Sequence, residues 1–236
     1  ENSLLINCAA ESHVDKSFSN ASVFLKTNAC GTLNIIEAAL RTRAKLLHIS
    51  TDEVYGESEN EKATETCLLN PTNPYSASKA SADLLVGAWI RTYGVSATIS
   101  HSANNYGENQ HQEKLIPSAI SRARRRQPIN IYGSGLNQRD WLHVSDHAEG
   151  IIRILRKAEF FSGSSFFLSA KDVHSNLEIA ESINKALGMP PENIQYVPDR
   201  PGHDKKYSLN PDRSQKLIGW TPFQTCVLDW LSKSVK

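Results

Sequence analysis

The sequence predicts an α/β fold, a doubly wound parallel sheet with a smaller C-terminal cap. Three observations predict it. Short apolar runs at Leu4–Ala10, Lys45–Ser50 and Val95–Ser100 alternate with two long segments of helical periodicity. Each gap between runs is long enough for a crossover helix, so the strands run parallel. Beyond Asn105 this alternation gives way to shorter, mixed elements, as in an appended domain.

Leu4–Ala10 reads as a buried parallel strand, because it is apolar almost throughout. Ser22–Ala44 reads as one long helix, with apolar positions at Val23, Leu25, Leu33, Ile36, Ala39 and Leu40. Gly31 inside it suggests close approach of another backbone. Lys45–Ser50 is a second strand, ending at Thr51-Asp52-Glu53, and residues 57–72 are polar and loop-like. Asn73-Pro74 places a capping side chain and a first-turn proline before a helix that Gly94 ends. Val95–Ser100 is the third strand.

Further on, Leu115–Arg125 is helical, Ile129–Tyr132 a short strand and Gly133–Gly135 a turn. A helix begins at Ser145, and Phe166–Leu168 returns to the sheet. Ser175–Leu187, Pro211–Ile218 and Phe223–Ser234 are short helices. The expected division is a core over residues 1–106, with 136–170 returning to it, and a cap over 107–236.

The 236 residues suffice for a real core. A net charge of +1 gives no global attraction to nucleic acid or membrane. The one basic cluster, Arg122–Arg126, fits the last turn of a helix, where cations complement the dipole, with anion or partner binding as the alternative. Four scattered cysteines form no C-x-x-C, so neither a zinc site nor a disulfide framework is expected. Cys8 and Cys30, in apolar context, are expected to be buried. No apolar run reaches the ~20 residues of a membrane span, and no signal peptide is visible, which points to the cytoplasm. His143 and His147, four apart, find no third ligand in the sequence, so no metal is expected.

Tyr75 and Lys79 stand one helical turn apart, twenty-two residues beyond Glu53. A nearby ammonium favours the ionised phenol, so such a pair serves as a general base. The strand ends at Ala9–Ser12, Ser50–Glu53 and Ser102–Asn105 converge on one crevice, where open α/β sheets bind ligands. Asp52 and Glu53 are adjacent carboxyls, which push each other's pKa values apart and so divide acid from base work. The plainer alternative is that they only start a surface loop.

Cys8–Asp15, Ser50–Gly56, Pro74–Ala80, Asn104–Gly107, Glu113–Pro117, Arg139–Val144 and Asp199–His203 occur in this order. Together they make the chain resemble the dTDP-glucose 4,6-dehydratases, which are extended short-chain dehydrogenase/reductases with a Rossmann-like core. The resemblance implies NAD as cofactor, a dTDP-glucose substrate and a homodimer built through a four-helix bundle of Ser22–Ala44 and Asn73–Tyr93. It also implies roles. Thr51 would position the sugar, Asp52 would be the acid, Glu53 the base at C5 and Tyr75 the base at O4. Lys79 would hold the nicotinamide ribose and lower the Tyr75 pKa. Ala9, Ala10, Thr27 and Asn105 would line the cofactor. Ser12 and Asn104 would touch the sugar. Lys114, Leu115, Arg139, Asn176, Arg200 and His203 would hold the nucleotide, with Asn130, Ile131 and Tyr132 along the base.

Three alternatives stay open: the same elimination on a UDP- or CDP-sugar, a 4-epimerase, and an inactive dimerising fragment. Asp52 and Glu53 argue against epimerisation, which needs no elimination. Relatives of this kind begin with a G-x-x-G-x-x-G turn, and the chain contains none. It is therefore expected to be N-terminally truncated, lacking roughly two βα units of ~30 residues each and a strand.

Overall fold

Four parallel strands position everything that follows. The computed structural model describes residues 3–58, 62–224 and 226–235. Strands β1 (Leu4–Asn7), β2 (Lys45–Thr51), β3 (Ala97–Ser102) and β7 (Ser165–Leu168) lie side by side in that order. All three pairings are parallel, with Leu46 opposite Ala97 and Ser102 opposite Leu168. The expected return of Phe166–Leu168 to the sheet is met. It is the one strand of 136–170 that joins it.

Helices cover both faces. On one lie α3 (Gly31–Thr42) and α4 (Pro74–Tyr93), packed over Leu46 and Ala97 through Ile36, Ala39 and Val86. On the other lie α6 (Val144–Leu155) and α8 (Asp212–Ile218), whose Ile154 and Ile218 join Leu47, Phe166, Leu168 and Trp220. β2, β3 and β7 therefore bury side chains of both parities, as strands inside a covered parallel sheet do. Burying a Leu, Ile or Phe side chain stabilises by about 1.5–3 kcal/mol.

A third cluster forms the cap. Helices α5 (Leu115–Arg124), α7 (Asn176–Ala186) and α9 (Val227–Ser234) enclose Ile116, Ile129, Ile131, Ile179, Ile183 and Leu231. Strands β5 (Ile129–Tyr132) and β9 (Ile194–Val197) pair in parallel beside it. Strands β4 (Asn104–Tyr106), β6 (Gln138–His143) and β8 (Val173–Ser175) form a three-stranded sheet between core and cap.

Several expectations need correction. The long helix expected over Ser22–Ala44 is continuous from Ala21 to Thr42 but is not α-helical throughout. Helix α1 (Val14–Ser19) and helix α2 (Ala21–Phe24) lead into a π-helical stretch, Leu25–Cys30, before α3. Gly31 meets no backbone of another element; a Cβ added there would touch only the Lys26 carbonyl oxygen of its own helix, at 3.8 Å. β1 is parallel but lies at the sheet edge, with Leu4 and Ile6 exposed. Cys8 and Cys30 are exposed rather than buried, one beyond that edge strand and one at the end of the π-helical stretch. β4, β6, β8 and β9 carry no strand signal of their own. Of the loop expected at 57–72, residues 59–61 lie outside the described residues, as does Thr225 in the segment expected as a helix from Phe223.

Candidate active site

Local rules set the site. β2 runs out at Thr51, and Asp52–Tyr55 form a 3-10 turn. Thr51 caps it: its Oγ1 accepts from the Glu53 N–H at 3.3 Å. Gly56 closes the turn with φ +72°, and a Cβ there would meet the Asn70 carbonyl oxygen at 2.2 Å. Only glycine fits, so the two carboxyls are held where the strand delivers them. The α4 capping box fixes Tyr75: Asn73 Oδ1 accepts from Ser76 N at 2.9 Å, and Ser76 Oγ accepts from Asn73 N at 3.2 Å.

The carboxyls differ in state. Burial first, then the charges of Glu53 and Asp140, push Asp52 up to about 8, so it is protonated at neutral pH. Its Oδ1 accepts from Thr51 Oγ1 at 3.1 Å, while its Oδ2 is buried without a partner among the described residues. Burial also raises Glu53, but Arg139, Arg200, Asn73 and Lys114 oppose the rise. A buried acid thus stands beside a carboxyl surrounded by cations, the separation that divided acid and base work needs.

Tyr75 runs against expectation. Burial, then the charge of Glu53, raises its phenol, and Lys79 does not counter this. The Lys79 ammonium donates to the Ile49 carbonyl at 2.7 Å, and burial lowers its own pKa. Asp83, one turn further along α4, opposes that lowering. Burial and the Glu53 charge thus favour the protonated phenol, and the Lys79 ammonium is turned to β2.

Facing these groups is a cationic wall. Arg139 lies over the Tyr207 ring at 4.4 Å and donates to the Gln138 carbonyl at 2.7 Å. Its neighbour Asp140 points the other way, accepting from Ser169 Oγ and from Asp172 N at 3.1 Å. Strand alternation thus separates the two residues, and no Arg139–Asp140 ion pair occurs among the described residues. Arg200 pairs with Asp15 at 2.9 Å, and Tyr132 donates to the same carboxylate at 3.2 Å. Lys114 donates to the Ser12 carbonyl at 2.5 Å.

These groups enclose a cavity of about 540 Å³. Thr51, Asp52, Glu53, Tyr75 and Asn105 line it. So do Ser12, Asn104, Lys114, Leu115, Asn130, Ile131, Tyr132, Arg139, Asn176, Arg200 and His203. Ala9, Ala10, Thr27 and Lys79 do not. The first two sit exposed beyond β1, Thr27 is half-buried in the π-helical stretch and Lys79 lies behind Tyr75. Buried Asn104 Oδ1 and His203 Nε2, like Asp52 Oδ2, lack partners among the described residues. Buried polar atoms without partners are rare, and in a cavity wall they suit a ligand rich in hydroxyls and phosphate oxygens.

Other residues escaped sequence reasoning. Asp15 organises both Arg200 and Tyr132. Asn28 is buried in the π-helical stretch, accepts from Glu11 N at 2.8 Å and donates to Ser78 Oγ at 2.9 Å, tying the loop beyond β1 to α4. His147 faces Asn105 Oδ1 at 2.8 Å, and burial lowers it to about 4, so it is neutral. Arg122, expected as a helix-end cation with anion binding as the alternative, lines the cavity and donates to the Pro128 carbonyl at 2.6 Å. The π-helical stretch has no sequence signature, and the Asp15–Arg200 pair spans 185 positions.

Comparison with known proteins gives a consistent result. The family model described as GDP-mannose 4,6 dehydratase matches residues 3–227. A dTDP-glucose 4,6-dehydratase from Mycolicibacterium smegmatis is 42% identical over 228 residues, covering 95% of this chain and 68% of the relative. A solved dTDP-glucose 4,6-dehydratase from Streptomyces venezuelae, with NAD bound, superposes with TM-score 0.94 at 37% identity, covering 99% of this chain and 72% of the other. The dTDP-glucose 4,6-dehydratase from Bacillus anthracis, in complex with NAD, gives 0.87 at 34% identity, over 99% and 71%.

Proposed function

Because the chain belongs to the nucleotide-sugar 4,6-dehydratase family, we propose that it converts dTDP-glucose to dTDP-4-keto-6-deoxyglucose with NAD as cofactor. One observation carries this reading: Asp52, held protonated, stands beside Glu53 in the wall of a cation-lined cavity that Tyr75 also lines.

The nicotinamide end of NAD fits where the strand ends converge. Ala9 and Ala10 leave the backbone beyond β1 open, and Tyr75 and Asn105 face the same crevice. Lys79 is close enough behind Tyr75 to reach the ribose if it leaves the Ile49 carbonyl. When bound, NAD supplies the hydride acceptor for C4 and returns that hydride to C6. Tyr75, once it has released its own proton to water, would take the proton of the C4 hydroxyl, assisted by the Thr51 side chain. The resulting ketone acidifies C5, and Glu53 removes the C5 proton. Asp52 donates its proton to the C6 hydroxyl, which leaves as water. Glu53 then gives its proton back to C5. Tyr75 is left one proton richer and Asp52 one poorer, so exchange of that one proton through water resets the site, and no net oxidation occurs.

Arg139 and Arg200 are placed to grip a diphosphate through paired charge-assisted bonds, with Lys114 as a point charge. Asn130, Ile131 and Tyr132 would lie along the base. The core over 1–106, completed by β7, would hold NAD, and the cap over 107–236 would hold the nucleotide. Incubation with NAD+ and dTDP-glucose should yield a nucleotide sugar lighter by one water without net NADH. An unchanged sugar in the presence of bound NAD+ would sink the reading.

We also propose a cytoplasmic homodimer paired through α3 and α4. No helix among the described residues is long and apolar enough to cross a membrane. Leu84 and Tyr93 on α4, together with Leu40 on α3 and Leu25 just before it, are exposed. Leu84→Arg should convert a dimer to a monomer in sedimentation equilibrium; a mass unchanged from the parent dimer would rule this surface out.

A further inference from the structure

We propose that Asp172, His174 and Cys226 form a zinc site in the cap, distant in chemistry from the sugar cavity. The three residues come from separate places. Asp172 and His174, two apart at the start of β8, present side chains on one face of the chain. Cys226 is the N-cap of α9. Their donor atoms all lie within 4.8 Å of one another, and all three residues are half-buried.

The three donor atoms face one another. His174 Nε2 lies 2.8 Å from Asp172 Oδ1 and 3.3 Å from Cys226 Sγ. Hydrogen bonds can hold them without a metal, the imidazole and the thiol each turning a proton to Asp172. A divalent cation between the three would displace those protons and take a lone pair from each.

The surroundings fit a cation. Asp172 Oδ2 accepts from Val227 N at 2.7 Å, which leaves Oδ1 as the single ligand oxygen. Burial and the Asp172 carboxylate raise the Cys226 thiol, and the backbone N–H groups of Leu228 and Asp229 that bond the sulfur offset this only in part. A bound cation tips that balance. Nitrogen, thiolate and carboxylate together match zinc, whose bonds of roughly 2.0–2.3 Å put tetrahedral ligands about 3.3–3.7 Å apart. Half-burial leaves water as the fourth ligand. The closest pair, at 2.8 Å, would open by roughly half an ångström. The site would clamp α9 to β8 across 52 positions of sequence.

The reduced, metal-stripped chain is titrated with Co2+ and Zn2+, following absorbance and thermal unfolding. One equivalent of cobalt should give a thiolate-to-cobalt charge-transfer band, and zinc should raise the unfolding midpoint. Cys226→Ser should abolish the band and weaken zinc binding at least about tenfold. His174→Ala should weaken zinc binding likewise, and Cys67→Ser, at an exposed thiol, should change neither readout. No band at stoichiometric cobalt, or a band that survives Cys226→Ser, would overturn the proposal.

Discussion

Glu53→Gln is expected to stop water loss while leaving C4 oxidation in place, because the amide cannot take the C5 proton but fills the same space. Loss of a positioned general base costs about 10²–10⁴-fold. Reduced nicotinamide should then accumulate in a single turnover, with no deuterium entering C5 from D2O. Asp52→Asn should fail differently. The C5 base survives, so C5 exchange persists while elimination falls by about 10²–10⁴-fold. Exchange lost in Asp52→Asn and kept in Glu53→Gln would reverse the two roles.

The same assignment fixes a pH dependence. Asp52 works as an acid only while protonated, so elimination should fall as pH rises through about 8. Its effect on stability has the matching sign. The folded pKa is raised, so the native state keeps a proton that the unfolded chain releases above about 3.9. The relative cost of folding therefore grows from that pH up to about 8. Asp52→Asn removes the cost and should unfold at higher temperature than the parent above pH 8, so activity and stability change in opposite directions.

The chemistry was legible because it is local. Thr51-Asp52-Glu53 follows directly on a strand, and Asn73-Pro74 with Gly94 marks α4 at both ends, so periodicity and capping suffice to place Tyr75. The cap was less legible. β6 shows no element in the sequence, since Gln138-Arg139-Asp140 interrupts any apolar pattern, yet Arg139 and Asp140 are buried in it because tertiary partners satisfy them. β4 and β8 hold three residues each, too few for a period to show. Cys8 and Cys30 looked like core residues by composition, but the sheet edge and the π-helical stretch expose them. The Asp172–His174–Cys226 cluster joins positions 52 apart and matches no ligand spacing, so only folding brings it together.

Replacing Asp83 should destabilise the fold more than any change in the cavity wall. Tyr75, Lys79 and Asp83 follow one another at helical turns along α4, and Asp83 is the buried end of that row. Its Oδ2 lies 3.0 Å from His101 Nε2 and accepts from Ser50 Oγ at 2.9 Å. His48 Nε2 lies 3.4 Å from Oδ1, near enough for electrostatic attraction but not aligned as a hydrogen bond. Burial alone would raise the Asp83 carboxyl, yet His101 and then His48 outweigh it and hold it well below the usual range. Burial lowers His48, which is thus kept neutral. Asp83→Ala leaves two buried imidazoles without their carboxylate and should cost about 3–5 kcal/mol in urea unfolding at pH 7. Asp83→Asn keeps the shape and should cost less. The acid limb tests the same cluster. The Asp83 pKa is depressed, so its contribution is present above about 3.9 and is lost as pH falls towards the folded value. The lowered pKa of His48 costs stability earlier, as pH falls below about 6.5. Parent stability should therefore decline in both windows. In Asp83→Asn the lower window should flatten, because the titrating carboxyl is gone. If Asp83→Ala matched the parent in urea at pH 7, the cluster would be dispensable and Lys79 would be held by its bond to Ile49 alone.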